Sequence, residues 1–130
     1  MRVMTPRGVR DFLPQEAARK RAVEAALQTT FRRGGYEEVI TPTVEFLESF
    51  AQSNSPDIAE KMYRLFDREG HILALRPEVT TPIARIVSTR LQGDPLPLRL
   101  HYVANVFRHE EVQAGRQREF WQAGVELVGA

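Results

Sequence analysis

The chain contains no cysteine, which excludes a disulfide framework and any thiolate metal site. It also lacks a surplus of charge. Lys and Arg total 18 against 17 Asp and Glu, a net charge of +1, too balanced for a surface that coats nucleic acid. No apolar run approaches the roughly 20 residues that span a bilayer. Met1 to Arg10 has no apolar stretch of signal-peptide type. Neither common phosphate loop, GxxxxGK(S/T) or GxGxxG, is present. His71, His101 and His109 show no metal-ligand spacing. Repeats and low-complexity tracts are missing too. These absences predict a soluble, cytoplasmic protein that calls for no cofactor and no metal and touches neither membrane nor nucleic acid. What remains is ordinary: 130 residues, 42% hydrophobic and 27% charged, which suits one domain or part of one.

The first element follows Asp11-Phe12-Leu13. Pro14 fits the first helical position, where its missing N–H costs nothing, and Glu16 sits near the positive dipole end. Val23, Leu27 and Phe31 then form one apolar stripe, and Gly34-Gly35 stops the helix. The spacing predicts a helix over 14–33. Tyr36 to Ile40 reads as a short strand ending at Thr41-Pro42. Residues 43–51 fit either a bent strand or a short helix. Ser53 to Pro56 reads as a loop, with one helical turn over 57–61. Two β-rich runs, 62–67 and 71–76, flank Arg68-Glu69-Gly70 and predict an antiparallel hairpin. Thr80-Thr81-Pro82 offers a cap and a first-turn proline for a second helix, striped by Ile83, Ile86, Val87 and Leu91 and ended by Gly93. Residues 98–108 and 118–128 are long strand candidates around a polar loop. The pattern predicts an α+β layer of helices on an antiparallel sheet. Its newest strand runs to the end of the chain, the mark of a truncated N-terminal portion of a longer domain.

Alternation along the last strand places Arg118, Phe120, Gln122, Gly124 and Glu126 on one face and Trp121, Ala123, Val125 and Leu127 on the other. The second set reads as a core face. The first offers a donor, an amide and a carboxylate in a row, and buried charges must be paired or meet a ligand. Arg108 ends the preceding strand, and Pro77 fixes the backbone beside Glu78. Such a set suits a zwitterionic ligand; an exposed polar rim on an edge strand would read the same way.

Gly8 to Pro14, Tyr36 to Pro42, Leu75-Arg76-Pro77-Glu78, Phe107-Arg108-His109-Glu110 and Gln113 to Phe120 occur in order, and together they resemble the front of the histidyl-tRNA synthetase catalytic domain. The resemblance implies a class II aminoacyl-tRNA synthetase-like fold over 1–130. It makes the first helix and the Tyr36 strand the motif 1 dimer interface, and 98–128 motif 2. Two proteins share this fold: the synthetase, and the non-catalytic regulatory subunit of ATP phosphoribosyltransferase in histidine biosynthesis. Departures favour the second. Leu-Arg-Pro-Glu continues with Val79-Thr80 rather than Gly-Thr, and Glu111 stands where the synthetase has an arginine in its Arg-x-Glu-Arg-Pro-Gln loop. A carboxylate facing the nucleotide there opposes ATP binding; pointing away, it loses that force. The resemblance matches Glu78 and Thr80 to the histidine ammonium, Arg108 and Gln122 to the carboxylate, and Glu126 to the imidazole. Glu110, Glu111, Gln113 and Arg116 fall in the motif 2 loop. It further implies a hetero-oligomer with the ATP phosphoribosyltransferase catalytic subunit, a homodimer, and histidine as effector, with ATP-dependent ligation of histidine to tRNA as the alternative.

Overall fold

The computed structural model describes residues 4–52 and 56–130; of the predicted Ser53–Pro56 loop, residues 53–55 lie outside them and Pro56 is helical. Helix α1 spans Pro14–Arg33, with Glu16 in its first turn and Arg32 and Arg33 in its last. Both ends therefore complement the dipole. Gly34 N–H returns to the carbonyls of Thr30 and Phe31, and Gly35 turns the chain out at φ 84°, a value a side chain resists.

Two three-stranded sheets follow. In the first, β1 (Glu37–Glu38), β5 (Leu98–Phe107) and β6 (Glu119–Val128) lie side by side in the order β1-β5-β6. β5 and β6 pair antiparallel from Leu98 opposite Val128 to Phe107 opposite Glu119. β1 runs parallel to β5, so the expected antiparallel sheet is in fact mixed, and the Tyr36–Ile40 strand shrinks to two paired residues. The second sheet is antiparallel, in the order β2-β4-β3, from β2 (Val44–Phe46), β3 (Arg64–Phe66) and β4 (Ile72–Leu75). The ambiguity over 43–51 resolves as both readings in series, strand β2 and then a 3-10 turn over Leu47–Phe50. Helix α2 covers Pro56–Glu60. Asp67 shapes the hairpin turn: one carboxylate oxygen accepts the backbone N–H of Glu69 at 2.9 Å and of His71 at 2.8 Å. His71 therefore sits at the turn before β4 rather than within the strand.

Helix α3 spans Thr80–Thr89, ending before Gly93, and its buried Pro82 and Ile83 face the first sheet. Val79, Ile83, Leu100 and Val106 form the main core, joined by the partly buried Tyr102, Ala104 and Phe120. Each such aliphatic side chain contributes about 1.5–3 kcal/mol on burial. Phe50, Met62 and Ala74 form a second cluster under the other sheet.

This places the core on the opposite side of β6 from the one expected. Trp121, Val125 and Leu127 are 39%, 40% and 49% exposed, whereas Phe120, Gln122, Gly124 and Glu126 are half-buried. A strand face becomes core only where a second layer covers it. α3 covers the Phe120 side, while α1 touches the other lightly, through Phe31 against the buried His101 ring at 5.4 Å and Lys20 over Trp121 at 3.2 Å. No residue of α1 is buried.

Arg76 joins the two sheets. It is 4% exposed. Its guanidinium donates to the Thr41 carbonyl and hydroxyl at 2.8 and 3.1 Å, to the Pro42 carbonyl at 3.2 Å, and to Asn105 O and Oδ1, both at 2.7 Å. Asn105 in turn donates to Glu119 at 2.9 Å. Glu45, itself buried, ties β2 to α3 through Arg85 at 2.8 Å. Removing the Arg76 head leaves several buried acceptors unpaired, each worth about 1–3 kcal/mol. Arg76→Met is therefore expected to lower unfolding free energy by at least about 3 kcal/mol, read from the urea midpoint; a loss under about 1 kcal/mol refutes the linking role.

Candidate ligand-binding site

The segment after β4 carries the first half of the site. Pro77 is fully buried and its ring fixes φ, so Glu78 enters α3 at a set angle. The residue at the helix cap is Val79, whose side chain cannot cap. Glu78 does that work instead, its carboxylate accepting the Thr81 N–H at 2.9 and 3.3 Å. The expected Thr80-Thr81 cap is thus replaced by a carboxylate at the positive end of the helix, a favourable placement for charge. Thr80 is left free for another partner. Its hydroxyl donates to Glu126 Oε1 at 2.7 Å, which brings the start of α3 against the far end of β6.

Arg108 closes the other end. Its Nε donates to the Pro77 carbonyl at 2.9 Å, its backbone N–H to Arg118 O at 2.8 Å, and its guanidinium carbon lies 5.3 Å from the Phe120 ring centroid. The Phe107 N–H reaches Arg76 O at 3.0 Å, so the base of Arg108 and the base of Glu78 hang on neighbouring backbone. Thr80 and Glu126 are therefore in contact, and Arg108 reaches the backbone just before Glu78. Gln122 stands opposite Ala104 on the same half-buried face of β6 as Glu126, which lies four residues further along the strand.

A fifth contributor, Tyr102, was not among the sequence candidates. It lies opposite Gly124, and a Cβ built on Gly124 would meet its hydroxyl at 2.7 Å and Cζ at 3.0 Å. The phenol is thus laid across β6 between Gln122 and Glu126. Burial raises its pKa above the ordinary 10.0, and the Glu126 and Glu78 carboxylates add to that in this order. The signal was present in the sequence as a glycine on the functional face of a strand, where glycine marks close approach of another group.

A cavity of about 610 Å³ opens from Glu78 and Thr80 along α3 toward Ser49, Gln52 and Arg85. Its lining does not reach Gln122 or Glu126; it borders the site from the far side of α3's first turn.

The loop of 108–118 docks back on the molecule. His109 N–H donates to Lys61 O at 2.7 Å, and Lys61 Nζ pairs with Glu110 at 3.0 Å. Arg118 Nε donates to Glu110 O at 2.9 Å. Gln113 and Arg116 pair as a tight bridge around Gly115. Glu111 points to solvent, 82% exposed, with Arg7 at 3.9 Å. Screening of an exposed charge is strong, so the electrostatic case that Glu111 repels a nucleotide loses its force. Elsewhere, Asp67, Glu69 and His71 bring ligand-type atoms within 4.8 Å of one another, a proximity the sequence spacing did not suggest. The Asp67 carboxylate and His71 ring already bond each other at 2.9 Å.

The architecture and the site together define a class II aminoacyl-tRNA synthetase-like α+β protein. The chain belongs to the histidyl-tRNA synthetase family, whose family model, described as Histidyl-tRNA synthetase, matches residues 8–130. It is similar to ATP phosphoribosyltransferase regulatory subunits of Symbiobacterium thermophilum (55% identical over 130 residues) and Moorella thermoacetica (58% over 126). It covers 33% and 32% of those relatives' lengths, and they match 99% and 96% of this chain. The Archaeoglobus fulgidus histidine–tRNA ligase is 48% identical over 130 residues, all of this chain and 32% of its own. Among solved structures, an ATP phosphoribosyltransferase regulatory subunit/histidyl-tRNA synthetase from Bacillus halodurans superposes with a TM-score of 0.88 at 34% identity, over 98% of this chain and 33% of that one. The chain thus spans about a third of the curated relatives it matches.

The capping role of Glu78 at α3 is open to test by substitution. Glu78→Gln keeps an acceptor for Thr81 and is expected to hold stability within about 0.5 kcal/mol, whereas Glu78→Ala costs about 1 kcal/mol. Urea unfolding of both variants checks this, and equal losses contradict the capping role.

Proposed function

We propose that this chain is the front part of a regulatory subunit of ATP phosphoribosyltransferase that binds free L-histidine without activating it. The observation that carries the reading is the Thr80–Glu126 hydrogen bond of 2.7 Å, which holds the start of α3 and the end of β6 as two walls of one cleft. In it, Glu78 and Thr80 take the ligand ammonium, Arg108 and Gln122 its carboxylate, and Glu126 an imidazole N–H. Charge-assisted contacts of this kind are shorter and stronger than neutral ones. Relatives at 55% and 58% identity that bear the regulatory-subunit name support the reading. The partner is then the catalytic subunit, which performs phosphoribosyl transfer, and histidine acts on it through a coupling free energy. The chain also pairs with a second copy through α1 and β1. Val23 and Ile40 support that, 60% and 82% exposed on this side despite being apolar.

The alternative, histidine–tRNA ligation, is favoured by two observations: the exposed Glu111, which no longer argues against a nucleotide, and the 48% identical ligase. Titration calorimetry of the full-length protein with L-histidine separates the readings from an empty pocket. Binding is expected, weakened at least about ten-fold by Glu126→Ala, a loss of one charged contact worth about 1.5–3 kcal/mol. Histidine-dependent pyrophosphate exchange is expected to be absent. Robust exchange establishes the ligase instead, and equal binding by Glu126→Ala removes the imidazole assignment.

A further inference from the structure

The five residues matched to a zwitterion leave the middle of the cleft unaccounted for. Gln122 and Glu126 are four residues apart on one strand face, roughly 13 Å at about 3.3 Å per residue. Between them stands Gly124, with no side chain to fill the gap. The phenol of Tyr102 fills it from the neighbouring strand, its hydroxyl over Gly124. The ring packs against the core cluster of Val79, Ile83, Leu100 and Val106, so it is held from below. The carboxylates of Glu78 and Glu126 act on the hydroxyl through space, with no hydrogen bond among the causes.

We propose that Tyr102, laid across Gly124, is the floor of the cleft and a specificity-determining residue: it sets the depth available to a ligand and offers its hydroxyl oxygen to a ligand N–H. The inference rests on the histidine-binding reading and adds a residue and a selection rule to it. A hydroxyl is both donor and acceptor. Two neighbouring acceptors, the Tyr102 hydroxyl oxygen and the Glu126 carboxylate, favour an amino acid whose side chain carries an N–H, such as an imidazole, and penalise a side chain of similar size without one. Unpaired buried acceptors give such discrimination its strength. Glycine at 124 is the counterpart of this arrangement, because any Cβ there must displace the phenol by several tenths of an ångström or more, up into the ligand space.

The test measures L-histidine and L-phenylalanine binding to the full-length protein by calorimetry, for wild type, Tyr102→Phe, Gly124→Ala, and Gly124→Ala combined with Tyr102→Leu. Urea unfolding confirms that each variant folds. Tyr102→Phe, which keeps the ring and its packing, is expected to reduce the histidine-to-phenylalanine affinity ratio at least five-fold. Gly124→Ala is expected to weaken histidine at least ten-fold, and trimming Tyr102 in the same chain to recover part of that loss. An unchanged ratio in Tyr102→Phe, or a double variant no better than Gly124→Ala, overturns the floor while leaving histidine binding standing. Wild-type protein that binds no histidine overturns both.

Discussion

A single buried guanidinium decides how the parts of this molecule meet. Arg76 donates to the Thr41 carbonyl and hydroxyl and the Pro42 carbonyl of the crossover and to the backbone and amide oxygens of Asn105 in β5, and these partners are all uncharged. Burial alone pushes its pKa down, and Glu45 partly opposes that. The charge survives because five oxygen contacts replace its water, the condition under which a buried ion is tolerated. A lysine has a point charge and three donors, and does not span the same fork. The geometry of everything downstream follows. With Arg76 held, Pro77 and Glu78 emerge at a fixed point over the first sheet, and Thr80 arrives within reach of Glu126.

How far this was readable in advance differs by element. α1 was legible to the residue, since Pro14 and Gly34-Gly35 are local signals that act through backbone geometry alone. The hairpin and the β5–β6 pair were legible for the same reason, being adjacent in sequence. What local signals do not carry is which layer covers which face. Trp121, Val125 and Leu127 are as apolar as any core strand, yet the covering helix on that side has no buried residue and meets the sheet through contacts such as Phe31 on His101 and Lys20 on Trp121. The parallel pairing of β1 with β5 was hidden too, because it joins residues more than sixty positions apart.

The site shows the same division. The resemblance named Glu78, Thr80, Arg108 and Glu126, but the reason Thr80 meets Glu126 is a cap: Val79 has no side-chain oxygen, so Glu78 turns back on Thr81 and releases Thr80. Tyr102 escaped because nothing in its own neighbourhood is unusual. Its meaning comes from a glycine 22 positions later that allows it to lie flat. Paired positions across strands, not single residues, hold that kind of information.

Both faces of the β5–β6 pair are therefore in use, and they constrain each other. One bears the core cluster and the cleft; the other bears α1 and a row of exposed apolar side chains. A register slip of one residue exchanges them, putting Trp121 and Val125 under α3 and Gln122 and Glu126 toward α1. Gly8 helps pin the register from outside, its carbonyl accepting the N–H groups of Arg118 and Glu119 at 2.7 and 3.2 Å, while its φ of 87° leaves room for the Arg118 stem alone. The ten-pair ladder from Leu98–Val128 to Phe107–Glu119 is the element shared by the two faces.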